Sequence, residues 1–447
     1  MKSLIRNTWF KIGIIAFIAI LLLLPSAMIT NLISEREGIQ QEAIWEVSSK
    51  WGNAQTISGP YITIPYYRLE RQVQEDKSVK IVKYLENIHL LPENLDIKGN
   101  IKPEEKHRGI YEIVVYDSDL EISGDFKNFD MSELNIDTAQ ILWDKAVLTI
   151  GISDLRGVQN QVQLNWEDEE LLFNPGTTTS DLVYSGINAK LPEIDHIGKE
   201  SYKFSLVLNL KGSQLLYFTP LGKTTNVDLK STWKNPKFDG AYVTDKNIVD
   251  EKGFTANWKI LHLNRNFPQV WTNSQYQVSQ SAFGVDLILP VDSYQKTTRV
   301  AKYAILLVAL TFLVFFFVEK LQKVFIHPIQ YILVGIALIV FYTLLLSFSE
   351  HMVFNLAYLL ATVMTISLVT WYVKVILKKW NLTLLMTGIL LILYSFIFTI
   401  IQIQDYALLI GSIGVFIILA LVMYFSKKIN WENEKIKDNN NDNLNQE

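Results

Sequence analysis

The chain has 447 residues and no cysteine, which excludes disulfides, thiolate catalysis, and zinc–thiolate or iron–sulfur sites. Its composition is 49% hydrophobic and 12% aromatic with a mean hydropathy of +0.17, which is high for a soluble protein of this length. Residues 34–298 carry 27 Lys and Arg against 37 Asp and Glu, whereas the rest carries 14 against 8, so the acidic middle argues against nucleic acid or anionic lipid as its partner.

The first predicted element is a membrane helix over Ile12–Ile33, which has the roughly 20 apolar residues that a span requires. Lys2, Arg6 and Lys11 precede it. A cleaved signal peptide is the alternative, since the basic start and the stretch LLPSAM fit one. The apolar run continues to Ile33, which favours an uncleaved anchor.

An amphipathic helix is predicted to follow this span directly. Ile39, Ala43, Val47 and Trp51 recur at a spacing of four and would share one helix face. Gly52 begins a stretch rich in Gly and Pro that ends the helix and introduces strands.

Strands dominate the middle of the chain. Residues 201–211, SYKFSLVLNLK, alternate between apolar and polar side chains, and only Val207 breaks the pattern. Segments 109–126 and 145–158 have the same character, with turns predicted at Asp117–Asp119 and Ser123–Gly124. This part of the chain is predicted to form two antiparallel sheets packed as one or two sandwich-like units.

Five more apolar spans follow the strands. They are Ala301–Val318, Tyr331–Phe348, Val353–Val373, Leu382–Ile401 and Tyr406–Phe425. The hydrophilic gaps between the spans alternate between those with Lys and those without Lys or Arg. Cationic gaps contain Lys320, Lys323, Lys374, Lys378, Lys379, Lys427 and Lys428. The gaps Ser349–Met352 and Gln402–Asp405 contain neither Lys nor Arg, so the positive-inside rule predicts that both termini are cytoplasmic and the strand-rich region is periplasmic.

The predicted fold class is an α+β membrane protein with an N-terminal anchor helix, a large, mainly antiparallel β periplasmic domain and a C-terminal bundle of five transmembrane helices. Residues 1–33 form the cytoplasmic N-terminus and the first span. Residues 34–298 form the periplasmic domain with its N-terminal amphipathic helix, and residues 299–426 form the five-helix membrane domain. Residues 427–447 are polar and Asn-rich and are predicted to be a disordered cytoplasmic tail.

The outer gaps contain one group of candidate functional residues. Glu350 and His351 lie in the gap between the third and fourth spans, and Asp405 lies in the other outer gap. The three would form an outer-face site if they met, with His351 able to exchange protons near neutral pH. The alternative is a solvated hairpin tip.

A second pair of candidates lies on the predicted inner face, in the sequence IHPIQY. His327 and Gln330 would form a docking site for a regulator. The alternative is that Pro328 simply begins the third span, because the first turn of a helix tolerates its missing N–H.

No catalytic set, cofactor site or metal site is predicted. The sequence LGKTT resembles the end of a phosphate loop, but Tyr217 stands where that loop needs glycine. No two histidines have a spacing of three or four residues, which argues against a metal site. The charges sit at span ends rather than mid-span, which disfavours an ion-coupled transporter.

Several blocks of the sequence closely resemble the CreD family of bacterial inner-membrane proteins, also called cell envelope integrity proteins. They occur in the family's order and include EVSSKWGNAQTISGPYITIPY, HRGIYEIVVYDSDLEISGDF, STWKNPKFDG, FGVDLILPVDSYQKTTRVAKY and DYALLIGSIGVF. The resemblance implies an inner-membrane protein with a large periplasmic domain, whose expression in some bacteria is linked to the CreBC two-component system. It also implies an association with envelope maintenance, colicin tolerance and responses to cell-wall antibiotics.

One position departs from the family pattern. The family typically has an acid immediately before the Asp of the DYALL block, and this chain has Gln404 before Asp405. The departure argues against a role that needs two carboxylates at this point.

The leading hypothesis is a non-enzymatic protein of envelope integrity and stress response, in which the periplasmic domain senses or braces the envelope. Segments 34–51 and 292–303 would be stalks that couple this domain to the helical bundle. The alternative is a membrane enzyme or lipid-handling protein that uses the outer-face residues. The expected partners are the lipid bilayer and an envelope or periplasmic protein, and the sequence leaves open whether the chain forms a homo-oligomer.

Overall fold

The computed structural model describes residues 8–75, 79–127, 134, 136–195, 197–289, 293–322, 324–403 and 406–428. Predictions that concern Lys2, Arg6, Lys323, Gln404, Asp405 and residues 429–447 lie outside these described residues. The chain forms two compact units. The helical unit comprises Met1–Gln40 and Val291–Glu447, and the sheet unit comprises Gln41–Pro290.

The first two elements among the described residues are the helices α1, over Thr8–Leu21, and α2, over Leu23–Trp51. The interruption at Leu22 follows from Pro25, because proline has no N–H to donate to the carbonyl of Leu21. The predicted amphipathic helix is therefore the second part of α2 and continues the first span without a further break.

The other α-helices that the structure describes follow the strands. They are α3 (Ser293–Lys302), α4 (Ala304–Gln322), α5 (Pro328–Ser349), α6 (Phe354–Leu377), α7 (Trp380–Gln402) and α8 (Ala407–Ser426). Among the described residues, six helical segments are long and apolar enough to cross a membrane, namely Thr8–Trp51 and helices α4 to α8. The predicted α+β membrane fold with an N-terminal span and five C-terminal spans is confirmed.

Helix α3 differs from the stalk expected over residues 292–303. Its buried residues Tyr294, Thr297, Val300 and Ala301 stand at positions i, i+3, i+6 and i+7, so they form one stripe. This stripe lies in the helical unit, where α3 packs against α5 and α7. The segment is thus an amphipathic helix that belongs to the bundle, and it is separated from α4 only at Tyr303.

The described residues of the sheet unit form two sheets. The strands of the first are β1 (Gln55–Val73), β2 (Val79–Leu90), β5 (Val147–Ile152), β8 (Asn174–Pro175), β9 (Gly186–Lys190), β11 (Leu215–Thr219), β13 (Pro236–Gly240), β16 (Val270–Thr272) and β17 (Phe283–Leu287). Their order is β13-β17-β11-β1-β5-β9-β8, and β2 pairs with β1 and β16.

The strands of the second sheet are β3 (Asn94–Arg108), β4 (Tyr111–Lys127), β6 (Gln163–Trp166), β7 (Glu169–Leu172), β10 (Ser201–Ser213), β12 (Thr224–Ser231), β14 (Lys246–Asp250) and β15 (Gly253–Leu261). Their order is β14-β15-β12-β3-β4-β10-β6-β7. Pairing is mainly antiparallel, as predicted, with parallel exceptions at β1–β11 and β3–β12. Side chains of both sheets share one hydrophobic core, so the two sheets form a single sandwich.

Strand β10 confirms the alternation that its sequence predicts. Every second residue from Tyr202 to Leu210 is buried, whereas Val207 is 55% exposed. Strand β10 is hydrogen-bonded to β4 and β6 within the second sheet. One of its faces packs on the core, and the other faces solvent.

The turns predicted at Asp117–Asp119 and Ser123–Gly124 were wrong, because β4 runs unbroken from Tyr111 to Lys127. Its polar residues are satisfied by neighbouring strands. Ser118 Oγ donates to the carbonyl of Leu210 at 2.8 Å, and Lys102 Nζ donates to Asp119 at 2.7 Å. A central strand can therefore contain residues that are typical of turns when both neighbours supply partners.

Candidate functional site

Glu350 lies at the C-terminal cap of α5, and its side chain is only 12% exposed. Its carboxylate accepts a hydrogen bond from Tyr294 Oη of α3 at 3.0 Å. Arg36 Nε of α2 lies 3.8 Å from the same oxygen. We call Arg36, Tyr294 and Glu350 the Glu350 cluster. It joins three helices within the helical unit.

The local sequence explains why Glu350 is held in place. The apolar run of α5 ends at Ser349, and the Glu350 N–H still donates to the carbonyl of Leu346 at 3.3 Å. Helix α6 begins at Phe354, so the connection is too short to carry Glu350 away from the bundle. The carboxylate therefore remains at the last turn of α5, beside the first turn of α3.

The two contacts of Glu350 differ in strength. A hydrogen bond to a charged group contributes about 1.5–3 kcal/mol, and Tyr294 is buried. Arg36 is half-exposed and its distance is long, so this ion pair contributes about 1 kcal/mol or less. Tyr294 is thus the main partner, and Arg36 adds a weaker electrostatic attraction.

Of the three outer-face residues predicted from the sequence, the structure describes Glu350 and His351. His351 is exposed, and among the described residues no hydrogen bond or ion pair joins its side chain to Glu350. Asp405 lies outside the described residues. Glu350 instead contacts two residues that the sequence analysis did not select.

His327 and Gln330 form a helix cap at the start of α5. Gln330 Oε1 accepts from the backbone N–H of His327 at 2.9 Å, and His327 Nδ1 accepts from the N–H of Ile329 at 3.4 Å. Pro328 occupies the first turn. The side chains therefore satisfy backbone groups at the helix end, while the His327 ring remains exposed.

A buried ion pair in the helical unit was missed by the sequence analysis. Lys11 Nζ of α1 donates to the carboxylate of Glu319 in α4 and, at 2.6 Å, to the carbonyl of Ile326. Tyr331 Oη of α5 donates to the other oxygen of Glu319 at 3.2 Å. Lys11 and Glu319 are 2% and 7% exposed. We call Lys11, Glu319 and Tyr331 the Lys11 cluster.

The sequence contained one signal for this cluster. Lys11 and Glu319 both lie at span ends on the side predicted to be cytoplasmic, which is compatible with an ion pair between them. Lys11 was placed just before the first span, but α1 begins at Thr8 and includes it. The cluster fastens α1 to α4 and α5, which supports an N-terminal span that is part of the folded bundle.

The sheet unit contains a buried line of polar side chains that resembles a hydrolytic triad. Thr63 Oγ1 lies 3.1 Å from His89 Nδ1, and His89 Nε2 lies 3.0 Å from Asp181. A hydroxyl, an imidazole and a carboxylate in this order can activate a nucleophile. However, Thr63 and His89 are both buried, so a substrate has no access to the hydroxyl.

The electrostatics of this line fit a structural role. Burial lowers the pKa of His89 more than the neighbouring Asp181 carboxylate raises it, so the imidazole is held neutral. A neutral ring can bond to one partner through each nitrogen, as Thr63 and Asp181 require. The line therefore ties β1 and β2 to the loop that contains Asp181.

An open polar cleft lies on the outer face of the second sheet, lined by residues that include Lys98, Asp119, Asp228 and Lys246. Two of its carboxylates, Asp228 and Asp119, have local partners. Asn257 Nδ2 donates to Asp228 at 2.6 Å, and Lys102 Nζ donates to Asp119 at 2.7 Å. Among the described residues, no group of three or more His, Asp or Glu is arranged to hold a metal ion.

Comparison with known proteins identifies relatives over nearly the whole chain. The family model described as "Inner membrane protein CreD" matches residues 7–432. Inner membrane protein CreD of Escherichia coli (strain K12) is 34% identical over 415 residues, which cover 92% of this chain and 91% of that protein.

Solved structures offer only a remote likeness. An M1 zinc metallopeptidase from Deinococcus radiodurans is 9% identical, with 38% of each chain covered and a TM-score of 0.19. A two-domain M1 zinc metallopeptidase mutant bound to L-arginine is 9% identical, with 48% of this chain and 53% of that chain covered and a TM-score of 0.20. Scores this low support no argument about fold or activity.

Proposed function

Because this chain belongs to the CreD family of inner membrane proteins, we propose that it is a non-enzymatic protein that maintains the integrity of the cell envelope under stress. In this proposal the sheet unit lies in the periplasm, where it senses or braces the envelope. Both termini lie in the cytoplasm. The alternation of cationic and cation-free gaps between the spans supports this orientation.

The observation that carries the coupling part of the proposal is the Glu350 cluster. The chain leaves the helical unit after Gln40, within α2, and returns to it at Val291, just before α3. Glu350 contacts α2 through Arg36 and α3 through Tyr294. A change in the sheet unit that shifts either segment would therefore alter a contact made by α5.

Two features support a non-enzymatic role. The Glu350 carboxylate is already engaged by a tyrosine and an arginine, so it is poorly placed to act as a general acid or base. The Thr63–His89–Asp181 line is closed to substrate. The alternative of an outer-face enzyme or lipid-handling site requires His351 to act together with Glu350.

The experiment that tests the proposal compares variants in a strain that lacks the gene. Wild-type protein, Glu350→Gln, Tyr294→Phe and His351→Gln are expressed at equal membrane abundance, and survival under a cell-wall antibiotic and a colicin is scored. We expect Glu350→Gln and Tyr294→Phe to change the wild-type phenotype to a similar degree. We expect His351→Gln to behave as wild type.

The double variant Glu350→Gln/Tyr294→Phe should be no worse than either single variant, because both act on the same hydrogen bond. Tyr294→Phe removes its donor, and Glu350→Gln weakens it by removing the charge of its acceptor. Loss of function in His351→Gln at normal abundance would contradict the proposal and favour the outer-face enzyme. A wild-type phenotype for both Glu350→Gln and Tyr294→Phe would contradict the coupling role.

A further inference from the structure

The first two strands of the sheet unit continue beyond the sandwich as a two-stranded arm. We define the arm as Tyr67–Val73 of β1 and Val79–Leu85 of β2, which pair in antiparallel register. At about 3.4 Å per residue, seven residues extend over roughly 20 Å. Among the described residues, no third strand pairs with either segment of the arm.

One face of the arm is apolar and exposed. Directly opposite residues of an antiparallel pair share a face, and the register pairs Tyr67 with Leu85 and Val73 with Val79. The apolar residues of this face are Tyr67, Leu69, Val73, Val79, Ile81 and Leu85. Val73 is 72% exposed and Leu85 is 63% exposed. A contiguous exposed apolar surface of this kind marks an interaction site.

The charges on the apolar face are all positive. Arg71 lies opposite Ile81, and Lys83 lies opposite Leu69. Lys83 Nζ is 5.6 Å from the centre of the Tyr67 ring, which places both side chains on this face. The face therefore combines aliphatic side chains, one tyrosine and two cations.

Glu70, the carboxylate within the arm, lies on the opposite face, as does Glu86 directly after it. Arg68 bonds to Glu86 at 2.6 Å and to Glu70 at 3.1 Å, and its guanidinium lies 4.9 Å from the Tyr84 ring. On this second face Arg68 is paired with both carboxylates, and the face also includes Gln72, Lys80 and Val82. The arm is therefore amphipathic, with a distinct chemistry on each face.

We infer that the apolar face of the arm docks on the surface of a phospholipid bilayer that contains anionic headgroups. Aliphatic side chains enter the boundary of the acyl chains, the tyrosine sits at the interface, and Arg71 and Lys83 meet the phosphates. The sheet unit as a whole is acidic, but its negative charge is not displayed on this face. The inference does not depend on the proposed envelope function or on the orientation of the chain.

Charge complementarity argues against a second copy of the chain as the occupant. Two such faces placed together would bring four cations into contact without a carboxylate between them. A bilayer supplies both an apolar layer and negative charge, and this protein is always attached to one. A lipid surface also suits an extended two-stranded face with exposed apolar side chains.

The test uses full-length protein in nanodiscs and exploits the absence of cysteine. Single variants Ile81→Cys and Lys80→Cys are labelled with an environment-sensitive fluorophore, and lipids with quenchers on their acyl chains are included. Positions 80 and 81 are adjacent but lie on opposite faces, so Lys80→Cys is a matched control. Nanodiscs contain phosphatidylcholine alone or mixed with phosphatidylglycerol.

We expect the label at position 81 to shift to the blue and to be quenched strongly, more so with phosphatidylglycerol, while the label at position 80 remains in water. Adding Arg71→Glu and Lys83→Glu should abolish the dependence on phosphatidylglycerol without changing the thermal unfolding temperature. An unquenched label at position 81 in both lipid mixtures would overturn the inference. So would shielding at position 81 that arises from another protein copy, or quenching that is equal in the two mixtures.

Discussion

Lys11 and Glu319 form a buried ion pair, although 308 residues separate them in the chain. One belongs to the first helix and the other to α4, and Tyr331 of α5 completes the hydrogen bonding of the carboxylate. Burying a charge is tolerable only when it is paired in this way. The pair therefore makes the N-terminal helix an integral part of the bundle.

Removing one member of this pair should be costly. Lys11→Met or Glu319→Leu alone leaves an uncompensated buried charge, which costs about 3–5 kcal/mol. The double variant removes both charges and should recover most of the loss. The unfolding temperature in detergent and the abundance in the membrane are measured for the wild type, both single variants and the double variant. Lys378→Met is the control at an exposed position. Equal losses in the single and double variants would refute the account of this pair.

The contact between Leu22 and Gly335 gives a second test of how the first span is seated. A Cβ at Gly335 would lie 2.3 Å from Leu22 Cδ1 and 2.9 Å from Phe312 Cζ, whereas nothing lies within 4 Å of a Cβ at Gly388. Gly335→Val should therefore destabilise the bundle by about 1–3 kcal/mol, and Gly388→Val should destabilise it less. Thermal unfolding of the two variants decides this, and equal behaviour would argue against the contact.

The burial of β10 predicts a sharp difference between neighbouring residues. Leu206→Lys places an unpaired charge in the core and should cost about 3 kcal/mol or more. Val207→Lys introduces the same charge on the exposed face, opposite Glu121, and should change stability by about 0.5 kcal/mol or less. Denaturant unfolding followed by tryptophan fluorescence measures both. A similar loss in the two variants would contradict the assigned faces.

The stability of the sheet unit should fall on acidification because of His89. Its pKa is lowered from the ordinary value of 6.5, mainly by burial. Above about pH 6.5 the imidazole is neutral in both the folded and unfolded states. As the pH falls below that value, the unfolded state binds a proton that the folded state resists until its own lower pKa is reached, so the free energy of unfolding decreases.

His89→Asn removes this titration and should make the free energy of unfolding less dependent on pH between about pH 7 and pH 5. The variant is also expected to be less stable at pH 7, because it alters the contacts with Thr63 and Asp181. The exposed His107 provides the control, and His107→Asn should retain the wild-type pH dependence. If His89→Asn retains it as well, His89 is not the responsible group.

The parts of the fold that could be predicted are those with a local signal. The membrane spans and the alternating strand β10 depend on hydrophobicity within one segment, and they were predicted correctly. The turns in β4 were wrong because Asp, Ser and Gly favour turns locally, while the partners that hold them in a strand come from β3 and β10. Local propensity was overridden by tertiary pairing.

The partners of the candidate residues could not be predicted for the same reason. Glu350 was selected from its position between two spans, but Tyr294 and Arg36 come from distant parts of the chain. Their contact depends on how α2, α3 and α5 pack, and the hydrophobic periodicity of a single segment does not predict that packing. The role of Gln330 as a helix cap could have been predicted from nearby residues alone, since His327 and Gln330 have the spacing of a capping box.

The most direct test of the account is the side of the membrane on which each unit lies. Single variants Val243→Cys, in the sheet unit, and Lys378→Cys, between α6 and α7, are both at exposed positions in a chain without other cysteines. Intact cells and permeabilised cells are treated with a maleimide that does not cross the inner membrane. With the sheet unit in the periplasm, we expect labelling of Val243→Cys in intact cells and of Lys378→Cys only after permeabilisation. The reverse pattern would contradict this orientation.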